Sequence, residues 1–134
     1  HLNIPANILN QDWQVYLESQ RKLDYNVCRA GWLGDYPDPM TFLSLWRTGD
    51  GNNNTGWSNK DYDAMVNAAA LEADPVKRMA TLHSAEELML NEMPILPIYW
   101  QIHAHLVSSQ VRGALPSVLE HRCYKALDVV APTE

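Results

Sequence analysis

The sequence predicts an α/β fold, and three observations carry that prediction. A strand-like run, a helix-like run and a second strand-like run follow one another up to Trp32, the order of a βαβ unit with parallel strands. Two later segments keep apolar residues at helical spacing behind helix-start signals at Ser58 and Asp74. A further block rich in β-formers, Ile95 to Val107, follows Pro94. At 134 residues the chain is the size of one domain, and a 46% hydrophobic content can fill one core.

Taken in order, Leu2 to Leu9 reads as a strand, ended by Asn10-Gln11-Asp12, where an Asn or Asp can cap a following helix. Trp13, Tyr16 and Leu17 recur at i, i+3 and i+4 while Glu18, Arg21 and Lys22 take the other side, so a one-faced helix follows. Tyr25 to Trp32 reads as the second strand. Gly31 to Pro39 holds two glycines and two prolines and must be a structured loop. Asp38-Pro39 then starts a short helix, Met40 to Trp46, because aspartate accepts from free amides and proline has none to lose. Thr48 to Gly56, with Asn52, Asn53 and Asn54 in a row, has the composition of a surface loop. Ser58 and Asp61 form a capping-box pattern for a helix reaching about Ala73, with Tyr62, Met65, Val66 and Ala69 as its stripe. Asp74-Pro75 opens the longest helix, striped by Met79, Leu82, Ala85, Met89 and Met93 and stopped by Pro94 and Pro97. Past Gly113 and Pro116, Cys123 to Val130 reads as a last strand.

Charge and composition exclude several classes. Ten lysines and arginines against 16 acids leave −6, which repels phosphate backbones and argues against nucleic acid as a partner. The apolar runs are too short to cross a bilayer. The opening lacks a signal-like basic and apolar stretch and begins directly in strand-like alternation, so the chain is expected to be a piece of something longer. No P-loop, Gly-x-Ser-x-Gly or His-Glu-x-x-His occurs, so the usual nucleotide, esterase and metalloprotease parts are missing.

Three constellations could carry chemistry. Asp35 and Asp38 could serve as acid and base in a hydrolase, but Asp38 already has a capping role. His103 and His105 share a strand face, and Cys123 could add a third zinc ligand, although histidines on a solvated face are ordinary. Asp35 stands between Gly34 and Tyr36 with no helix to cap, near Trp32 and Arg29. Such a set suits a zwitterionic ligand, the carboxylate holding an ammonium and the guanidinium a carboxylate. An Arg29 to Asp35 salt bridge explains the same residues, and both readings stand. Cys28 and Cys123 permit a disulfide without requiring one.

The run Cys28-Arg-Ala-Gly-Trp-Leu-Gly-Asp-Tyr-Pro-Asp-Pro-Met-Thr-Phe42 resembles the solute-binding proteins of peptide-uptake ABC transporters, the oligopeptide and dipeptide binding family, also described as extracellular solute-binding protein family 5. The ordered features that follow match as well: the asparagine loop, Tyr62-Asp63, the Asp-Pro helix with Arg78, and Met93-Pro-Ile-Leu-Pro-Ile-Tyr-Trp100. The resemblance implies the C-terminal part of a type II periplasmic binding protein, a two-lobed α/β fold with mixed-sheet lobes and flanking helices. It implies that residues 1–102 belong to the second, ligand-closing lobe and that 103–134 recross the hinge to complete the first. It also implies non-catalytic capture of peptide at the cell envelope, periplasmic or extracellular with a lipid anchor on the parent, and transfer to a membrane permease. No cofactor is expected. Carried over by residue, Asp35 would bind the peptide α-ammonium, Arg29 a ligand carboxylate, and Trp32 would line the pocket. Tyr99 and Gln101 would lie near the peptide backbone. Leu33 replaces a cysteine that relatives pair elsewhere, and Gln20, beside Arg21 and Lys22, aligns near another charged position, which leaves peptide length open. The same family includes binders of dipeptides, nickel chelates and sugars, which remain alternatives to a longer peptide.

Overall fold

The tightest part of the molecule is a helical hairpin, and local chemistry sets both of its ends. In the computed structural model, which describes residues 3–102, 104–115, 117 and 123–131, Asp74 accepts hydrogen bonds from the amides of Val76 (2.9 Å) and Lys77 (3.2 Å). Pro75 occupies the first turn of the helix that results, α4, Pro75–Glu92. Met93 closes α4 in the left-handed region at φ 51°, and Pro94 prevents its continuation. The preceding helix α3, Lys60–Leu71, is capped by Asn59, whose side chain accepts from the Asp61 and Tyr62 amides. The cap therefore sits one residue after the expected Ser58, whose hydroxyl instead meets that of Thr48 at 2.9 Å. The helix also stops at Leu71, short of Ala73.

Upstream lie α1, Trp13–Arg21, started by Asp12, and α2, Met40–Leu43, continued by a 3₁₀ turn over Ser44–Trp46. The core joins α2, α3 and α4 through Leu43, Tyr62, Val66, Ala69, Leu82, Ala85 and Met89. Tyr62 is fully buried and keeps its hydroxyl satisfied by donating to the Leu43 carbonyl at 2.6 Å. That burial pushes the Tyr62 phenol far above its ordinary pKa. Trp57 meets the Tyr62 ring edge-on and donates to Glu92 at 2.6 Å, while Asn59 donates to the other Glu92 oxygen. The apolar stripe expected on α4 is buried only in its middle, since Met79 and Met93 are exposed.

The strands depart from expectation. Residues 3–9 form no strand among the described residues, and Leu2 lies outside them. Tyr25 to Trp32 is irregular, bent at Asn26-Val27, so no βαβ unit forms among the described residues. Ile95 to Val107 is likewise not a strand among the described residues. Alternating or β-branched residues state only that a segment suits a pleated surface, whereas a strand exists once a neighbour takes its amides and carbonyls. The one described ladder is two residues long: β1, Val111–Arg112, runs antiparallel to β2, Asp128–Val129, with Val111 opposite Val129. The expected Cys123 to Val130 strand is in fact a 3₁₀ turn, Tyr124–Ala126, followed by β2. Gly113 makes the approach possible, because at φ 79° a Cβ there would fall 2.0 Å from the Ala126 carbonyl oxygen. Pro116 lies outside the described residues.

Candidate functional site

The loop that follows Cys28 is tied down at its base before it reaches Asp35. Tyr16 on α1 donates its hydroxyl to the Arg29 carbonyl at 2.7 Å, and Gln20, one turn on, donates to the Cys28 sulfur at 3.3 Å. The Tyr25 hydroxyl reaches the Asn54 carbonyl, which links this loop to the asparagine loop. Arg29 then donates to the Tyr99 hydroxyl at 3.3 Å, drawing together residues 70 positions apart in the chain.

Past Trp32, which is 41% exposed, the chain turns against α2. Gly34 permits this. A Cβ at that position would stand 3.1 Å from the Thr41 methyl and 3.2 Å from the Phe42 ring. The amide of Asp35 donates to the Thr41 hydroxyl at 2.9 Å, and Thr41 itself is buried. Asp38 follows, with one carboxylate oxygen accepting from the Met40 amide at 2.8 Å and both oxygens held by Arg78 of α4 at 2.8 Å. Phe42 packs edge-on to Trp100, bringing the Tyr99 segment to the same side.

The five residues expected to form the site therefore divide. Arg29 and Tyr99 touch; Trp32 and Asp35 share their loop; Gln101 is exposed two residues beyond Tyr99. No salt bridge joins Arg29 to Asp35, so that rival reading of the pair is overturned. Among the described residues the Asp35 side chain enters no hydrogen bond or ion pair, leaving its carboxylate open to a ligand. Asp38 is the opposite case. The Arg78 guanidinium holds its carboxyl below the usual aspartate range, which makes it a poor proton donor near neutral pH and weakens the acid–base pair considered above. His103 lies outside the described residues, and no group of three possible metal ligands gathers among the described ones. Cys28 and Cys123 are not bonded to each other.

Thr41 and the Asp38 to Arg78 pair escaped the sequence reading. Arg78 appeared there only as a member of a pattern, and nothing in the spacing of two residues 40 apart indicates that they meet. The Asp38 pair also sets a pH dependence. Its folded pKa is lowered, so its stabilisation is full above the ordinary aspartate value of about 3.9 and disappears as pH falls through the lowered one. The thermal midpoints of the wild type and Arg78→Met should therefore differ near neutrality and converge in acid. A gap that stays constant down to about pH 2 would contradict this.

No family model matches the chain. It is 41% identical over 112 residues to the dipeptide-binding protein DppE of Bacillus subtilis, an alignment covering 84% of this chain and 21% of DppE. Its homologues include dipeptide-, oligopeptide- and murein peptide-binding proteins, and the chain belongs to their family. The oligopeptide-binding protein OppA of the same organism is 35% identical over 116 residues, 86% of this chain and 21% of OppA. The solved structure of the Escherichia coli murein tripeptide binding protein MppA superposes with a TM-score of 0.82 at 28% identity, covering 98% of this chain and 26% of MppA. The fold is thus a part of the periplasmic peptide-binding fold, mixed in helix and strand, as the resemblance implied. The chain spans about a fifth of the length of these curated relatives.

Proposed function

We propose that the polypeptide to which this chain belongs captures peptides at the cell envelope, periplasmic or extracellular, and passes them to the permease of an ABC transporter without catalysing a reaction. The observation that carries this reading is the uncommitted Asp35 carboxylate on a loop held from both ends. An aspartate fixed by its backbone and free at its side chain is suited to a peptide α-ammonium, which supplies the missing charge and donors. Arg29 would meet a ligand carboxylate, exchanging its long, exposed 3.3 Å contact with the neutral Tyr99 hydroxyl for an oppositely charged partner. Trp32, Tyr99 and Gln101 would flank the peptide main chain. Affinity drawn from termini and main chain leaves side-chain sequence open. In this proposal residues 1–102 belong to the ligand-closing lobe and 103–134 return to the first lobe, so the rest of the polypeptide supplies the opposite wall. No cofactor or metal is needed.

Asp35→Asn in the full-length polypeptide should weaken binding of a free peptide by about 1.5 to 3 kcal/mol, the range for a hydrogen bond to a charged group. Calorimetry reads this directly. Unchanged affinity with the fold intact would remove Asp35 from the site.

A further inference from the structure

The polar side chain with most invested in the Asp35 loop is one that stands on another helix. Arg78 lies on α4, 40 positions from Asp38, and places both of its terminal nitrogens on the two oxygens of that carboxylate at 2.8 Å. A bidentate guanidinium fixes a carboxylate in orientation as well as in distance. Asp38 in turn accepts from the amide of Met40, the first residue of α2. One residue later Thr41, only 2% exposed, receives the Asp35 amide on its hydroxyl. Gly34 is packed under the same threonine, where a Cβ would stand 3.1 Å from its methyl and force it to give way. Each link is a short hydrogen bond or close packing, so the backbone of Asp35 inherits its position from α4.

We infer that Arg78 is a positioning residue for recognition of the peptide amino terminus, acting through Asp38 and Thr41 on the carboxylate of Asp35. This rests on the reading of Asp35 given above. Arg78 touches no ligand in this scheme. It lowers the freedom of the loop, so that the carboxylate is already placed when an ammonium arrives. A surface ion pair kept only for stability would affect all peptides alike. A positioning pair affects those whose affinity depends on Asp35.

The test uses the full-length polypeptide and two probes, trialanine and N-acetyl-trialanine, titrated calorimetrically. Asp35→Asn sets the reference, costing trialanine affinity and sparing the acetylated peptide. Arg78→Met should weaken trialanine roughly tenfold while leaving N-acetyl-trialanine within about twofold, with Arg78→Lys in between because a point charge cannot hold both oxygens. Adding Arg78→Met to Asp35→Asn should cost little more, as expected of residues acting through one contact. Thr41→Val removes a single hydroxyl at nearly constant shape and should give the same selective loss, so the chain of contacts is tested even if Arg78→Met fails to fold. Equal losses for the two peptides, or additive losses in the double variant, would overturn the positioning role while leaving Asp35 in place. If Asp35→Asn does not separate the two peptides, the reading of Asp35 has failed, and the role of Arg78 falls with it.

Discussion

Replacing Tyr62 by alanine should destabilise the helical unit by about 3 to 5 kcal/mol, the cost of emptying an aromatic site in a packed core. Tyr62 has no exposed surface, touches both neighbouring helices through the shared cluster, and presents its ring to Trp57 with centroids 4.9 Å apart. Its hydroxyl also binds the Leu43 carbonyl, so the truncation strands an acceptor as well as opening a cavity. Tyr62→Phe separates the two effects. Keeping the ring and losing only the hydroxyl, it should cost about 1 to 2 kcal/mol. Urea unfolding gives the totals, and hydrogen exchange at α3 and α4 amides shows whether the loss is local to them. A penalty below about 1 kcal/mol for the alanine variant would mean that the site collapses freely, contrary to the packing described.

Asn53→Ala should cost about 2 to 3 kcal/mol, an unusual amount for a loop residue. Its amide nitrogen donates to the carbonyls of Trp46, Arg47 and Trp57 at 3.0 to 3.1 Å, three acceptors sharing two protons. Its oxygen accepts from the Thr55 amide and hydroxyl. The side chain thus stands where a strand or helix partner would stand, satisfying backbone groups that regular structure leaves over. Asn53→Asp should be at least as damaging, since a carboxylate would face three carbonyl oxygens without a proton to offer. The check is the thermal midpoint together with exchange of the amides from Arg47 to Trp57. An asparagine tract invites substitution, and Asn52→Ala serves as the comparison; among the described residues its side chain donates only to Asp50, so it should cost a few tenths of a kcal/mol.

How far the sequence could be read follows from where each signal acts. Asp12, Asp74 and the stripe of α3 act over three or four residues, a range in which spacing alone decides who meets whom, and those helices stand as expected. The shift from Ser58 to Asn59 is a contest between two good caps in adjacent positions, won by the one whose hydroxyl rival is taken up by Thr48. The strands were illegible for a different reason. Val27 and Ile98, for example, favour extended backbone, but what completes a strand is a partner elsewhere, and none is provided among the described residues. For the candidate site, local sequence pointed to Asp35, Arg29 and Trp32 because they crowd one glycine- and proline-rich loop. It left the Arg29 to Asp35 bridge open, and only the structure removes it. Contacts as distant as Asp38 with Arg78 or Arg29 with Tyr99 are products of the fold and carry no spacing signature.

The short link between α3 and α4, Glu72 to Asp74, has a consequence for the order in which the molecule assembles. A hairpin closed by so few residues loses little chain entropy on forming, and its apolar contacts connect neighbours in sequence, the conditions under which folding is fast. Leu43 joins from 19 residues before Tyr62, still a short reach. The described residues on either side, among 3–33 and 95–131, hold none of the buried core. Assembly is therefore expected to start from the middle of the chain, α3 and α4 pairing first, α2 docking on them, and the loop bearing Asp35 settling last; φ-values near one at Val66 and Leu82 with values near zero in that loop would bear this out.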